Sequence, residues 1–107
     1  MNETEFLNAA RGVLDRVEAV LDASGLDLDI ERKSDGVLDL EFENASHIVV
    51  NLQTPMRQIW IAAKSGGFHF EEREGVWCDT RSGEEFFAAL SRQVSAQSGA
   101  GVVLAAR

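Results

Sequence analysis

Apolar residues recur at three- and four-residue steps at both ends of this chain and at every second residue in between, an order few folds can accommodate. From Glu5 to about Ala23, Phe6, Ala10, Val13, Leu14, Val17, Val20 and Leu21 mark one face of an amphipathic helix. Arg11, Asp15, Glu18 and Asp22 mark the opposite face, and Ser24-Gly25 supplies a stop. Near the other end, Phe86, Phe87, Leu90 and Val94 form a second helical stripe that closes at Ser98-Gly99, before an apolar tail, Val102-Val103-Leu104. Ser82-Gly83-Glu84-Glu85 reads as a capping box for this helix, the Ser82 hydroxyl and Glu85 carboxylate each taking a free backbone amide.

Between the helices the period is two. Leu28 and Ile30 alternate with Asp27, Asp29 and Glu31, and after a Ser34-Asp35-Gly36 turn Leu38, Leu40 and Phe42 alternate with Asp39, Glu41 and Glu43. Asn44-Ala45-Ser46 turns the chain again, so that Ile48, Val50 and Leu52 face inward and His47, Val49, Asn51 and Gln53 outward. Pro55 marks a loop, after which Ile59, Ile61 and Ala63 continue the inward row and Gln58, Trp60, Ala62 and Lys64 the outward one. Gly66-Gly67 leads into a strand through Phe68-His69-Phe70. A polar loop, Glu71 to Gly75, precedes a short strand around Val76-Trp77-Cys78.

One apolar stripe per helix and one apolar face on the sheet are buried most economically by a two-layer α+β sandwich. We expect an antiparallel sheet of five to seven strands with the N- and C-terminal helices packed on one face, in a single domain over residues 1–107. Phe6, Val13, Val17, Leu40, Val50, Ile59, Phe86 and Leu90 should form the core, with Trp60 on the face turned away from it.

Composition narrows the chemistry. Ten basic against eighteen acidic side chains give a formal charge of −8, which disfavours nucleic acid and favours cations or basic protein surfaces. No apolar run approaches the roughly 18 residues of a membrane span, so no membrane association is expected. The acidic start Met1-Asn2-Glu3-Thr4-Glu5 resembles neither a secretory signal nor a transit peptide, and a bacterial-type cytoplasm is the expected location. Cys78 is the single cysteine, so an intrachain disulfide and a Cys-based metal site are both excluded. His47 and His69 are isolated on the outer sheet face, and Ser82 has no histidine near it in sequence. No catalytic constellation is present, and the chain is not expected to be an enzyme.

The segment Asn51-Leu52-Gln53-Thr54-Pro55-Met56-Arg57-Gln58-Ile59-Trp60 resembles the central signature of frataxins, an Asn-x-Gln-x-Pro-x-x-Gln-hydrophobic-Trp string. The likeness continues through Ala62, Lys64, Gly66-Gly67 and Phe68-His69-Phe70. Met1-Asn2, Glu5-Phe6, Phe42-Glu43-Asn44, Trp77 and the stretch from Asp79 to Phe86 are also similar to the bacterial members. The resemblance implies the two-helix sandwich, weak binding of ferrous or ferric iron on an acidic ridge, and association with a cysteine desulfurase and an iron-sulfur scaffold protein. It further implies a modulator of cluster assembly, acting as iron sensor, regulator or iron donor.

On this chain the ridge would comprise Asp15, Glu18 and Asp22 on the helix with Asp27, Asp29 and Glu31 on the first strand. Glu18 and Asp22 lie one helical turn apart, with Asp15 on the same face. Surface carboxylates completed by water make a weak, open site for iron, and suit other divalent cations almost as well. Carboxylates on an exposed helix and an edge strand also serve solubility and block sheet-to-sheet pairing. Ala19 and Ala23 stand where bacterial frataxins often carry acids and Leu7 where a histidine can occur, and one residue is missing near Gly25. Fewer ligands imply weaker or fewer iron sites. Trp60 is the candidate aromatic anchor for the partner, with Asn51, Gln53 and Gln58 as its hydrogen-bonding rim. Two alternatives stay open: an acidic protein-binding adaptor that needs no metal, and an iron-oxidising enzyme. A monomer is the default.

Overall fold

In the computed structural model, which describes residues 1–34 and 36–105, the chain begins with helix α1 (Glu3–Ala23). Six strands follow: β1 (Leu28–Ser34), β2 (Val37–Phe42), β3 (His47–Gln53), β4 (Gln58–Ala63), β5 (Gly66–Arg73) and β6 (Val76–Asp79). Helix α2 (Phe86–Ser98) closes the order. The strands pair in sequence order, every pair antiparallel, so the sheet is an unbroken meander with β1 and β6 as its edges.

Both helices lie on one face. Phe6, Ala10, Val13, Leu14, Val17 and Leu21 of α1 meet Leu38, Leu40, Ile48, Val50, Ile59, Ile61 and Phe70 of the sheet and Phe86, Ala89, Leu90 and Val94 of α2 in one buried cluster. Every residue assigned to the core from sequence is buried to within 3% of full. Phe70 packs edge-on against Phe86 with ring centroids 5.2 Å apart, and Trp77 meets Phe6 at 6.0 Å, so aromatic contacts tie β5 and β6 to both helices. Burying a large apolar side chain contributes about 1.5–3 kcal/mol, which is why this face decides the architecture.

The remaining apolar tail is pinned by serines. Ser95 Oγ accepts from Val102 N at 3.0 Å and donates to Val102 O at 3.1 Å. One turn earlier, Ser91 Oγ accepts from Leu104 N at 2.8 Å, with Leu104 O at 3.2 Å and Phe87 O at 2.6 Å as its possible acceptors. Two hydroxyls at helical spacing thus give an irregular segment the hydrogen bonds a strand would have supplied. Leu104 is consequently buried, while Val103 between the two pins points outward.

Three local expectations are corrected. Helix α1 begins earlier than its apolar stripe, at Glu3, because Asn2 Oδ1 accepts from Glu5 N at 2.8 Å and Glu5 Oε1 from Asn2 N at 2.9 Å, a reciprocal capping box. The box expected at Ser82 does not form. Asp79 Oδ1 accepts from Arg81 N and Ser82 N and winds that stretch into a turn, so α2 starts later, with the Glu85 carboxylate capping Phe87 N and Ala88 N. Finally, Glu71, Glu72 and Arg73 belong to β5 rather than to a loop. Glu74 and Gly75, at φ 52° and 83°, close the hairpin in two residues, as a mirror-image turn requires. At the earlier hairpin Gly36 has φ 92°, the left-handed conformation expected of it; Asp35 lies outside the described residues.

Candidate functional site

The acidic ridge is divided by an arginine. β1 is an edge strand, and its Arg32 leaves on the helix side, where Nη1 lies 3.0 Å from Asp15 Oδ1 and Nε 3.1 Å from Glu18 Oε1. Two of the three helix carboxylates therefore already hold a cation, a guanidinium forked between them. Asp22 follows on the exposed side of α1, and Asp27 lies in the connection before β1. Asp29 and Glu31 alternate with Ile30 and Arg32 and so project from the opposite, open face of the sheet, opposite Glu41 and Asp39. The six ridge carboxylates thus surround one edge of the sandwich on two sides. Among the described residues, no three His, Cys, Asp or Glu side chains converge closely enough to hold a metal ion as they stand. Carboxylate oxygens are suitable donors for iron, but an ion at Asp15 and Glu18 would have to compete with Arg32.

The open face carries a different arrangement. Trp60 sits on it, half-buried, between the inward-facing Ile59 and Ile61, as alternation requires. Cross-strand pairing places Asn51 on one side of Trp60 and His69 on the other, with Gln53, Gln58 and Glu71 in the next row. His69 stacks on the indole with centroids 4.0 Å apart and ring planes 7° from parallel. Sequence spacing left His69 isolated; only the β4–β5 register makes it a neighbour of Trp60. The indole Nε1–H donates to Gln58 Oε1 at 2.8 Å, and Gln53 Nε2 donates to Asn51 Oδ1 at 2.7 Å. Asn51 and Gln53 are therefore oriented by one another, and Gln58 by the indole. Met56, 59% exposed in the 3-10 turn Thr54–Met56 that joins β3 to β4, extends the apolar surface at this end.

A charged cluster missed in the sequence occupies the other end of the open face. Asp39 is 7% exposed although it lies on the solvent side. Lys33 Nζ lies 3.0 Å from its Oδ2 and His47 Nδ1 2.8 Å from its Oδ1. Burial alone would raise the Asp39 pKa, but the hydrogen bonds from His47 and Lys33 outweigh it and hold the carboxylate below its ordinary range. The same bond from Asp39 raises His47 above the ordinary imidazole value. Position along a strand predicts that these side chains face outward. It gives no sign that three strands bring them into contact.

Known proteins resemble this chain in both sequence and fold. The frataxin-like domain family model matches residues 1–100. An iron-sulfur cluster assembly protein, CyaY, of Paraburkholderia xenovorans is 54% identical over 99 residues, covering 92% of this chain and 93% of that protein. The protein of the same name from Paraburkholderia phymatum is 51% identical over 105 residues, covering 98% and 99%. The structure of frataxin from Psychromonas ingrahamii superimposes with a TM-score of 0.90 at 35% identity, covering 98% of this chain and 99% of that one. Trimeric yeast frataxin in complex with ferrous iron gives a TM-score of 0.66 at 27% identity, covering 92% and 88%. Matched in family model, in sequence along nearly its full length and in fold, this chain belongs to the frataxin family.

Proposed function

We propose that this protein serves iron-sulfur cluster assembly as a non-enzymatic accessory: it binds iron weakly on its acidic edge and docks on the complex of cysteine desulfurase and scaffold. The observation that carries the reading is its likeness, along almost the whole chain, to relatives named as iron-sulfur cluster assembly proteins. The open face supports it. Trp60, steadied by His69 and Gln58, presents a rigid aromatic surface with an amide rim, the composition of an interface anchor. The iron is cargo or signal, and its candidate ligands are the carboxylates around this edge, Asp15, Glu18, Asp22, Asp27, Asp29 and Glu31, with Asp15 and Glu18 available only if Arg32 yields. Other divalent cations should compete, because oxygen donors on an open surface select poorly. The protein acts as a monomer in the cytoplasm, as sensor, regulator or donor of iron.

Anaerobic titration with ferrous iron, followed by backbone amide resonances, tests the metal half. Broadening confined to Asp15 through Glu31 is expected, and an unchanged spectrum would sink it. Binding kinetics against purified desulfurase and the desulfurase-scaffold complex test the docking half. A specific observation favours a second reading, an acidic adaptor that needs no metal: Asp15 and Glu18 are already paired with Arg32. In that case docking would persist unchanged in strong chelator.

A further inference from the structure

Two glutamines one turn apart on α2 meet two hairpin turns at the same end of the sheet, and they use their amides differently. Gln97 Nε2 donates to Ser46 Oγ at 3.0 Å and to His47 O at 3.1 Å, and its Oε1 accepts from Lys64 N at 2.9 Å. Both ends of that amide thereby staple the β2–β3 and β4–β5 turns to the helix. Gln93 is more deeply buried, 3% exposed, yet its amide is bonded at one end only. Its Oε1 accepts from Ser65 Oγ at 2.7 Å, and its Nε2 has no hydrogen-bond partner among the described residues. A buried amide with unused N–H groups is uncommon, because withdrawing them from water costs free energy that a hydrogen bond must offset. Nε2 is not sealed in, since among the described residues no fully enclosed side-chain nitrogen or oxygen lacks a partner. Gln93 borders a cleft of about 220 Å³ whose walls include Asn44, Ser46, Lys64, Ser65 and Gln97.

The donors left over in this cleft define what fits it. Asn44 Nδ2 donates to Gln97 O at 2.9 Å, Ser46 Oγ donates to Asn44 Oδ1 at 2.7 Å, and Ser65 Oγ donates to Gln93. Unused are the Gln93 Nε2 amide and the Lys64 ammonium, which is exposed and makes no ion pair among the described residues. Lys64 is also the one charged residue among those lining the cleft, although acids outnumber bases eighteen to ten in the chain. We propose that the cleft is a binding site for a carboxylate, one oxygen accepting from Gln93 Nε2 and the other facing the Lys64 ammonium. Both unused groups are donors, so the ligand must be an acceptor, and a charge-assisted bond to Lys64 makes an anionic acceptor stronger than a neutral one. A carboxylate offers two oxygens to two donors held on different elements. The volume lies below the roughly 300 Å³ at which pockets for drug-sized molecules begin, so the occupant is a small carboxylic acid or the carboxylate at a peptide's end. The net charge of −8 and the C-terminal end of α2 both oppose an anion here, and Asn44 offsets the second by bonding Gln97 O. Affinity therefore rests on the two local donors.

The test is a titration at fixed pH and ionic strength, followed by NMR of the Gln93 side-chain amide and the backbone amides of Lys64 and Ser65. The probes are succinate, an acetylated alanine dipeptide with a free carboxylate, the same dipeptide as its amide, and chloride as control anion. We expect saturable shifts with a carboxylate and none with the dipeptide amide or chloride. A response to the dipeptide acid alone assigns the site to a chain end, a response to succinate alone assigns it to a free acid, and a response to both supports the shared chemistry. Lys64→Gln should weaken binding several-fold, and Gln93→Met, which removes Nε2 and keeps the length of the side chain, at least as much. No saturable shift with either carboxylate, equal shifts with the dipeptide amide or chloride, or parent-like affinity in either variant would overturn the proposal. Lys64 is exposed, so its variant keeps the test decisive should Gln93→Met fold poorly.

Discussion

The two faces of the sheet differ less in how firmly their side chains are held than in what holds them. On the helix side the order comes from exclusion of water: residues such as Phe70, Leu40 and Ile59 have no exposed surface, and their rings and branches fill one another's gaps. On the open side it comes from pairwise polar geometry, with Gln58 on Trp60, Gln53 on Asn51, and Lys33 and His47 on Asp39. The closed face is therefore committed to the fold. The open face holds its polar groups by pairing them while leaving most of them partly exposed.

The sharpest way to break this comparison is to truncate one large side chain on each face. Phe70→Ala should cost about 3–5 kcal/mol of stability, read as the midpoint of chemical denaturation, because it leaves a cavity beside Phe86. Trp60→Ala should change the denaturation midpoint far less, yet weaken docking on the desulfurase-scaffold complex by about 2 kcal/mol, mainly through faster dissociation. If Trp60→Ala unfolds the protein as readily as Phe70→Ala, the open face is structural and the docking proposal loses its anchor.

Smaller changes sharpen the contrast. Ser91 is a polar group inside the closed layer, and Ser91→Ala should cost about 1 kcal/mol by leaving Leu104 N without its 2.8 Å partner. The companion measurement is faster hydrogen exchange confined to the tail from Val102 to Leu104. On the ridge, Glu18→Ala with Asp22→Ala should move stability by no more than about 0.5 kcal/mol, since both sites are at least partly exposed and Arg32 keeps Asp15. The same double variant should bind ferrous iron more weakly by calorimetry; parent-like binding would remove α1 from the site. Its association with the desulfurase should also be slower and depend less on salt, as expected when an acidic surface steers encounter.

Much of this was legible before the fold was known. Alternation placed Trp60 on the open side because a strand sends successive side chains to opposite faces, and nothing in the tertiary structure alters that parity. The core followed from the same rule and from the helical stripe of α1. Helix ends were harder to read, because a cap depends on which carboxylate reaches which amide. Asp79, before the Ser82 stretch, claims the amides of Arg81 and Ser82 and displaces the start of α2 to Phe86. The β5–β6 hairpin was misplaced for a related reason: three polar residues, Glu71 to Arg73, look like a loop until their partners on β6 are known.

The sequence by itself determined the order of elements, the face each side chain takes, the net negative charge and the family signature through Trp60, since all depend on spacing and composition along one chain. Tertiary structure alone decided which outward-facing side chains meet. His69 stacks on Trp60, Arg32 forks between Asp15 and Glu18, and Lys33 and His47 converge on Asp39 because strand register and helix placement bring together residues far apart in the chain. Period and parity are local properties of the backbone, whereas a contact between strands depends on the register of each hairpin, set by turns whose geometry the whole buried face selects.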